Sequence, residues 1–293
     1  MSAESTTSPS TPRLSEVARH LVIPAGIVTT GWPRIERRLA SIGIVFDVWQ
    51  QGLAQVALGR RKNDKYAATV GGVVLSIPRQ VGKTFFAMAL LVAMCLEYPG
   101  FRVIWTSHHM RTTTNTFRAM QGMARRKKVA PYVSAIRTAN GEGEVVFHNG
   151  SIIMFGARAQ GFGRGMDKID VEVFDEAQIL DSRSLEDMVA ATNQAQHKHG
   201  ALLFFMGTPP RPVDPGEEFT NRRAKALDGK AENMVYVEFS ADEDADPDDR
   251  EQWAKANPSY PSRTPDESME RMRENLTDES SFKREALGHL EAL

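Results

Sequence analysis

Several features common in other protein classes are scarce in this sequence. The 293 residues include one cysteine, Cys95, so no internal disulfide bond can form. The main apolar run, FFAMALLVAMCL, falls short of the roughly 20 residues that span a membrane, and the N-terminus lacks a signal-peptide pattern. The formal net charge is −1, so overall charge predicts no nucleic-acid partner and polyanion contacts must come from local patches. We therefore expect a globular protein in a reducing, intracellular setting, with Cys95 as a buried structural thiol.

The order of sequence patterns predicts one large α/β domain. Residues 1–12 are rich in Ser, Thr and Pro, so we expect a disordered tail over residues 1–30, a main domain over residues 31–240 and a linker or lid region over residues 241–293. Short apolar runs such as VGGVVLSI, FRVIWTS, VEVFDEA and ALLFFMG alternate with helical patterns. This alternation predicts a mostly parallel sheet with helices on both faces, and ligands bind beyond the carboxyl ends of such strands. The stretch EVVFHNGSIIMFG predicts a hairpin joined at Asn149-Gly150.

The stretch IPRQVGKTFF, residues 77–86, contains half of a phosphate-binding loop. Gly82, Lys83 and Thr84 match the end of the G-x-x-x-x-G-K-[ST] motif, but Ile77 stands where the first glycine should be. The tripeptide follows a predicted buried strand and opens a predicted helix, whose N-terminal N–H groups and dipole favour phosphate. Lys83 would then reach the β- and γ-phosphates, and the Thr84 hydroxyl would ligate Mg²⁺. The alternative is an ordinary helix start with a solvated lysine.

A second half-motif, VEVFDEA over residues 171–177, favours the phosphate-loop interpretation. Its apolar residues predict a strand that ends in Asp175 and Glu176 at the same sheet edge as Lys83. One carboxylate can hold the Mg²⁺ shell, and the next can orient and deprotonate an attacking water. The two half-motifs together predict a nucleotide-hydrolysing site.

With RQVGKT at residues 79–84 and DEA at residues 175–177, the chain resembles the large terminase subunit of tailed phages. These proteins are ATP-driven motors that package double-stranded DNA into procapsids. In this family the first loop glycine is commonly replaced, and an Arg-Gln pair precedes Gly-Lys-[ST]. The resemblance implies a P-loop NTPase fold of the RecA/ASCE type, the cofactors ATP and Mg²⁺, metal ligands Thr84 and Asp175, and catalytic Glu176. It also implies nucleotide contacts from Gln50, Pro78, Arg79, Gln80, Val81, Gly82, Lys83, Thr84 and Asp175.

Further residues match the family less specifically. Gln50 looks like the family's adenine-contacting glutamine, although Trp49-Gln50 also suits a half-buried position on an amphipathic helix. Thr208, in Gly-Thr-Pro after the fifth strand, resembles the motif that couples hydrolysis to domain movement, and its alternative is a simple turn. Arg79 brings a fixed charge toward the γ-phosphate. Arg164, between glycines, lies where the family places an arginine finger that acts on a neighbouring subunit, and Arg158 is the competing residue.

The resemblance also implies partners and a setting. We expect contacts with double-stranded DNA, the portal protein and the small terminase subunit, in the host cytoplasm and without a membrane. We expect a homo-oligomeric ring, a pentamer, when the motor is assembled, and a monomer in isolation. Complete large terminases carry a C-terminal nuclease domain, and this sequence stops where that domain should begin. The acidic run over residues 241–251 suits a solvated linker better than a metal cluster, so we expect an isolated ATPase domain without nuclease activity.

Two other functions are compatible with parts of this pattern. A helicase-type or other nucleic-acid-dependent P-loop ATPase shares the core, but it would normally need a second RecA-like domain. A non-hydrolysing nucleotide- or DNA-binding module needs no water-activating carboxylate, so Glu176 argues against it. The basic run RRKK, residues 125–128, can contact DNA phosphates or simply complement the dipole at a helix C-terminus.

Overall fold

The computed structural model describes residues 12–139, 142–211, 213–276 and 278–289 of the chain, apart from the side chain of residue 187. Its strands are β1 (His20–Val22), β2 (Thr29–Thr30), β3 (Gly59–Arg60), β4 (Gly72–Ser76), β5 (Arg102–Ser107), β6 (Val133–Ala139), β7 (Glu142–Phe147), β8 (Ile152–Ala157), β9 (Val171–Asp175), β10 (Leu202–Gly207) and β11 (Met234–Glu238). Its α-helices are α1 (Leu14–Val17), α2 (Trp32–Ser41), α3 (Val48–Ala57), α4 (Lys83–Glu97), α5 (Met110–Ala124), α6 (Ser182–Val189), α7 (Glu217–Leu227), α8 (Arg250–Ala256), α9 (Asp266–Asn275) and α10 (Glu279–Leu287).

Nine strands of the described residues form the main sheet, in the order β1-β11-β4-β10-β9-β5-β8-β7-β6. The run from β11 to β8 is parallel, whereas β1 at one edge and β7 and β6 at the other are antiparallel. The mostly parallel α/β sheet predicted from the sequence is therefore confirmed. The predicted hairpin is confirmed as β7 and β8, with Gly150 in the left-handed region at a φ of 84°. Strand β6 was not predicted, because its exposed and half-buried residues show no continuous apolar run.

Successive side chains of the central strands point to opposite faces of the sheet, so the hydrophobic core has one cluster on each face. Val73 and Leu75 of β4 join the cluster that includes apolar residues of α2, α3, α4 and α5, whereas Val74 joins the cluster that includes residues of α6 and α7. Helix α4 is apolar almost all round, and residues 86–96 are all buried. Burial raises the pKa of the Cys95 thiol, so the predicted buried thiol is confirmed and is held in its protonated form. No helix among the described residues has the length and apolar character needed to cross a membrane.

The predicted disordered segment over residues 1–30 is wrong for the part that the structure describes, which starts at residue 12. Strand β1 pairs antiparallel with β11, with His20 opposite Glu238, and so it covers an edge that would otherwise expose unpaired backbone groups. The Leu14 side chain is buried and lies against α3. The Ser/Thr/Pro composition of residues 1–12 was extended too far along the chain, and residues 1–11 lie outside the described residues.

The region after residue 240, predicted as a linker or lid, contains three helices with a small core of their own. Trp253, Met269, Phe282 and Leu287 are among the buried residues of this cluster. The region contacts the loop before α4 through the ion pair of Arg79 with Glu285 and through two hydrogen bonds to or from the loop backbone. The Arg79 N–H donates to the Glu285 carbonyl at 3.0 Å, and the Ser259 hydroxyl donates to the Val81 carbonyl at the same distance. This helical unit is therefore seated directly on the residues that the sequence assigns to the nucleotide.

We expect Gly156→Ala to destabilise the fold, because a Cβ at this position of β8 would lie 1.9 Å from Cγ of the buried Phe162 ring. Overpacking of this kind costs roughly 1–3 kcal/mol, measured as a loss of unfolding free energy in a denaturant titration. Gly122→Ala is the control, because Gly122 lies inside α5 and a Cβ there meets no atom within 4 Å. That change should be neutral or stabilising by up to about 1 kcal/mol. Equal unfolding midpoints for Gly156→Ala and the unmodified chain would contradict the expectation.

Candidate active site

The loop between β4 and α4 bends sharply enough to direct the helix N-terminus at a ligand. Gln80 and Gly82 both have positive φ values, 61° and 103°. Gly82 suits this backbone because it lacks a Cβ, and it precedes Lys83, the first residue of α4. The first N–H groups of a helix have no partner inside the helix, and consecutive turns of this type form an anion-binding concavity. Pro78 and Val81 are buried and hold the loop against the core, so the loop presents its backbone to the ligand side.

Lys83 and Asp175 lie close enough to influence each other's ionisation. Burial lowers the pKa of the half-buried Lys83 ammonium, and the negative charge of Asp175 partly offsets this. Burial raises the pKa of the Asp175 carboxyl group, and Lys83 counteracts that rise. Asp175 ends β9, which is separated from β4 by β10 alone, and so the parallel sheet brings both predicted half-motifs to one edge as expected.

The oxygen donors near this edge suit a magnesium nucleotide. Asp175 offers a carboxylate and Thr84, in the first turn of α4, offers a hydroxyl. Mg²⁺ prefers hard oxygen ligands of this kind together with phosphate oxygens. The left-handed Gly82 and the N-terminus of α4 add a phosphate cradle beside them. The residues present therefore fit Mg²⁺ and a polyphosphate.

The Glu176 carboxylate is held by residues at the start of α5. Glu176 leaves β9 with a φ of 56°, in the left-handed region, and its side chain is half-buried. Oε1 accepts a hydrogen bond from the Thr112 hydroxyl at 2.8 Å. Oε2 accepts one from the His108 N–H at 3.1 Å, and the His109 N–H lies at 3.5 Å. Thr112 was not singled out from the sequence, although a hydroxyl just beyond a parallel strand is the kind of signal that could have found it.

Arg158 is placed as an internal brace and does not suit the role of an arginine finger. Its guanidinium is buried and donates to the carbonyls of Thr106 and Asp175, each at 2.9 Å, and to that of Glu176 at 3.3 Å. Burial lowers its pKa to about 10. Arg158 thus joins the ends of β5 and β9, which favours Arg164 as the candidate finger, and the finger assignment itself stays a prediction. Arg164 is exposed between Gly163 and Gly165, whose φ values are 94° and 72°.

Arg79 is paired with the C-terminal helices in this structure. Its guanidinium forms an ion pair with Glu285 of α10, whose side chain is 11% exposed. Arg79 itself is largely exposed, with a side-chain accessibility of 60%. Before its charge could meet a γ-phosphate, Arg79 would have to leave Glu285. The sequence did not indicate this partner, because Glu285 lies 206 positions away along the chain.

Gln50 and Thr208 both lie next to the loop region. Gln50 is buried, not half-buried, and its Oε1 accepts from the Asp47 N–H at 3.1 Å, which caps α3. Its Nε2 lies 3.7 Å from the position of a Cβ built on Gly82, so the amide faces the loop as well. Thr208 is buried directly after β10, whose last carbonyl, that of Gly207, accepts from the Ile77 N–H at 3.0 Å. The adenine and coupling roles of these residues stay predictions.

A match to a known protein family covers most of the chain and agrees with this geometry. The family model "Terminase large subunit, T4likevirus-type, N-terminal" matches residues 74–284. The chain belongs to this terminase family. The match contains the loop before α4, strand β9, helices α8 and α9 and the first part of α10, whereas Gln50 and Glu285 lie outside it. No curated protein matched the chain.

Solved terminase structures share the fold of this terminase chain. The HK97 bacteriophage large terminase superposes with a TM-score of 0.71 at 18% identity, covering 89% of this chain and 55% of that one. The large terminase of a thermophilic bacteriophage, solved in complex with ADP, gives 0.52 at 15% identity, with coverages of 74% and 48%. The Thermus phage P74-26 large terminase ATPase domain gives 0.54 at 14% identity, with coverages of 86% and 97%. The chain thus spans about half of the first two proteins and nearly all of an ATPase domain.

Proposed function

We propose that this terminase chain is the ATPase motor domain of a phage large terminase and hydrolyses ATP to drive double-stranded DNA into the procapsid. The proposal rests on one observation: Lys83, Asp175 and Glu176 lie near one another at the carboxyl ends of β4 and β9. The likeness to a terminase solved with ADP supports nucleotide binding. Membership of the terminase family favours this function over a helicase-type ATPase.

Each residue has a separate task in binding the nucleotide. The N–H groups at the start of α4 and the Lys83 ammonium hold the phosphates, and Lys83 supplies positive charge at the β- and γ-phosphates. Thr84 and Asp175 would hold Mg²⁺, whose charge would stabilise negative charge on the phosphate oxygens. Gln50, whose amide lies near Gly82, would contact the base.

Hydrolysis requires a group that removes a proton from water. Glu176 orients the attacking water and accepts its proton as the water oxygen bonds to the γ-phosphorus and the bond to the ADP oxygen breaks. Arg164 of one subunit acts on the nucleotide of its neighbour in a ring, where a guanidinium stabilises the charge of the transition state. Double-stranded DNA, the portal protein and the small terminase subunit are the proposed partners, in the host cytoplasm. We expect ATPase activity from this chain.

Glu176→Gln tests the proposal directly. The amide has nearly the shape of the carboxylate but little basicity, so we expect ATP binding to persist while hydrolysis falls by about 10²–10⁴-fold. Phosphate release measures the rate, and a fluorescent ATP analogue measures binding. Glu186→Gln, an equivalent change at an exposed position of α6, should leave both unchanged. Normal hydrolysis by Glu176→Gln would show that the catalytic carboxylate lies elsewhere.

A further inference from the structure

The hydrogen bonds to Glu176 use most of the acceptor capacity of its carboxylate. A carboxylate offers about four acceptor positions, two on each oxygen. On Oε2, the N–H of His108 at 3.1 Å takes one position and the N–H of His109 at 3.5 Å approaches the other. On Oε1, the Thr112 hydroxyl at 2.8 Å takes one position and leaves one. The geometry of these three donors thus concentrates the remaining acceptor capacity on Oε1, the oxygen that Thr112 contacts.

The backbone of Glu176 is fixed from the opposite side. Arg158 donates to the carbonyls of Asp175 and Glu176, and the Glu176 N–H donates to Oδ1 of Asp175 at 3.0 Å. The left-handed backbone at Glu176 turns its side chain away from the line of β9 and toward α5. With the backbone held in this way, the orientation of the carboxylate depends on the donors at the start of α5.

Thr112 differs from the two threonines that follow it. Thr113 donates its hydroxyl to the carbonyls of His109 and Gly156, and Thr114 donates to the carbonyl of Met110 at 2.9 Å. Thr112, in the first turn of α5, instead donates to the side chain of Glu176, 64 positions away along the chain. The helix dipole also favours a negative charge at this end of α5. Helix N-capping does not explain this contact, because a capping side chain accepts from the backbone of its own helix.

We propose that Thr112 is a positioning residue for ATP hydrolysis, whose hydroxyl orients the Glu176 carboxylate so that Oε1 receives the proton of the attacking water. This inference rests on the proposed function, because it assigns Thr112 a role through the catalytic base. Thr112 lies outside the nucleotide loop and acts on the rate of the chemical step. It therefore should not contribute to ATP affinity.

Thr112→Val removes the hydroxyl and keeps the shape and branching of the side chain. We expect kcat for ATP hydrolysis to fall about tenfold, as for loss of a hydrogen bond to a charged group, while the Kd for ATP stays unchanged. Thr112→Ser restores the donor and should recover most of kcat. Thr114→Val is the matched control, because Thr114 is also half-buried in α5 and donates only within its helix. Phosphate release at saturating ATP and fluorescent-nucleotide titration provide the two readouts.

A variant that carries both Thr112→Val and Glu176→Gln separates a positioning role of Thr112 from a structural one. If Thr112 acts through Glu176, Thr112→Val should not lower the rate further in a Glu176→Gln background. An unchanged or raised kcat in Thr112→Val, or an equal loss in Thr114→Val, would overturn the proposal. If Thr112→Val fails to bind ATP, Thr112→Ala replaces it and must show the same split between kcat and Kd. Normal hydrolysis by Glu176→Gln alone would instead remove the proposed catalytic base, so the two failures are distinguishable.

Discussion

Lys83→Ala should abolish measurable ATP turnover and weaken ATP binding. The Lys83 ammonium stabilises the negative charge of the β- and γ-phosphates in the bound state and in the transition state. The alanine side chain carries no charge and is too short to replace it. Its partial burial removes competing water and strengthens its interaction with phosphate. Phosphate release and nucleotide titration measure the two effects.

The control for this result is Lys225→Ala, which removes a lysine from an exposed position of α7. It should retain the turnover and ATP affinity of the unmodified chain. Turnover of Lys83→Ala at the rate of the control would mean that residues 77–84 do not form the phosphate-binding loop.

Arg164→Ala should lower the ATPase rate of the assembled ring by about 10³–10⁵-fold, the range that an arginine finger contributes in related chemistry. Arg164 is exposed and flanked by glycines in the left-handed region, a backbone that allows the segment to adapt to a neighbouring subunit. Because the neighbour supplies the finger, an isolated domain should hydrolyse ATP slowly. Its specific activity should rise with protein concentration or on assembly with a portal.

Mixing two inactive variants tests whether Arg164 acts between subunits. Arg164→Ala retains an intact loop and Lys83→Ala retains an intact finger, so a mixed assembly contains some complete sites. Partial recovery of phosphate release is expected on mixing. Arg118→Ala, which removes an arginine from an exposed position of α5, is the control and should keep the assembled-state activity of the unmodified chain. Full activity of assembled Arg164→Ala would assign the finger to another residue. The burial of Arg158 and its bonds to three carbonyls make it unsuited to that role.

The parts of the site that are continuous in the sequence could be predicted without the structure. Residues 79–84 and 175–177 each follow an apolar run, and each run forms a strand at the predicted place. In a mostly parallel sheet, the ends of such strands share one edge, so the proximity of Lys83 and Asp175 follows from the order of elements. Local motifs and alternation therefore determined the fold class and the centre of the candidate site.

Contacts between distant parts of the chain were decided only by the tertiary structure. Thr112 meets Glu176 across 64 positions, and Arg79 meets Glu285 across 206. The pairing of β1 with β11 likewise ordered a segment whose neighbouring composition indicated disorder. Local sequence patterns report which face of an element is apolar, but they carry no information on which distant hydroxyl or carboxylate the packed elements bring together. The same limit applies to Arg158: it was a candidate because it lies near Arg164 in the sequence, whereas the structure buries its guanidinium between the ends of β5 and β9.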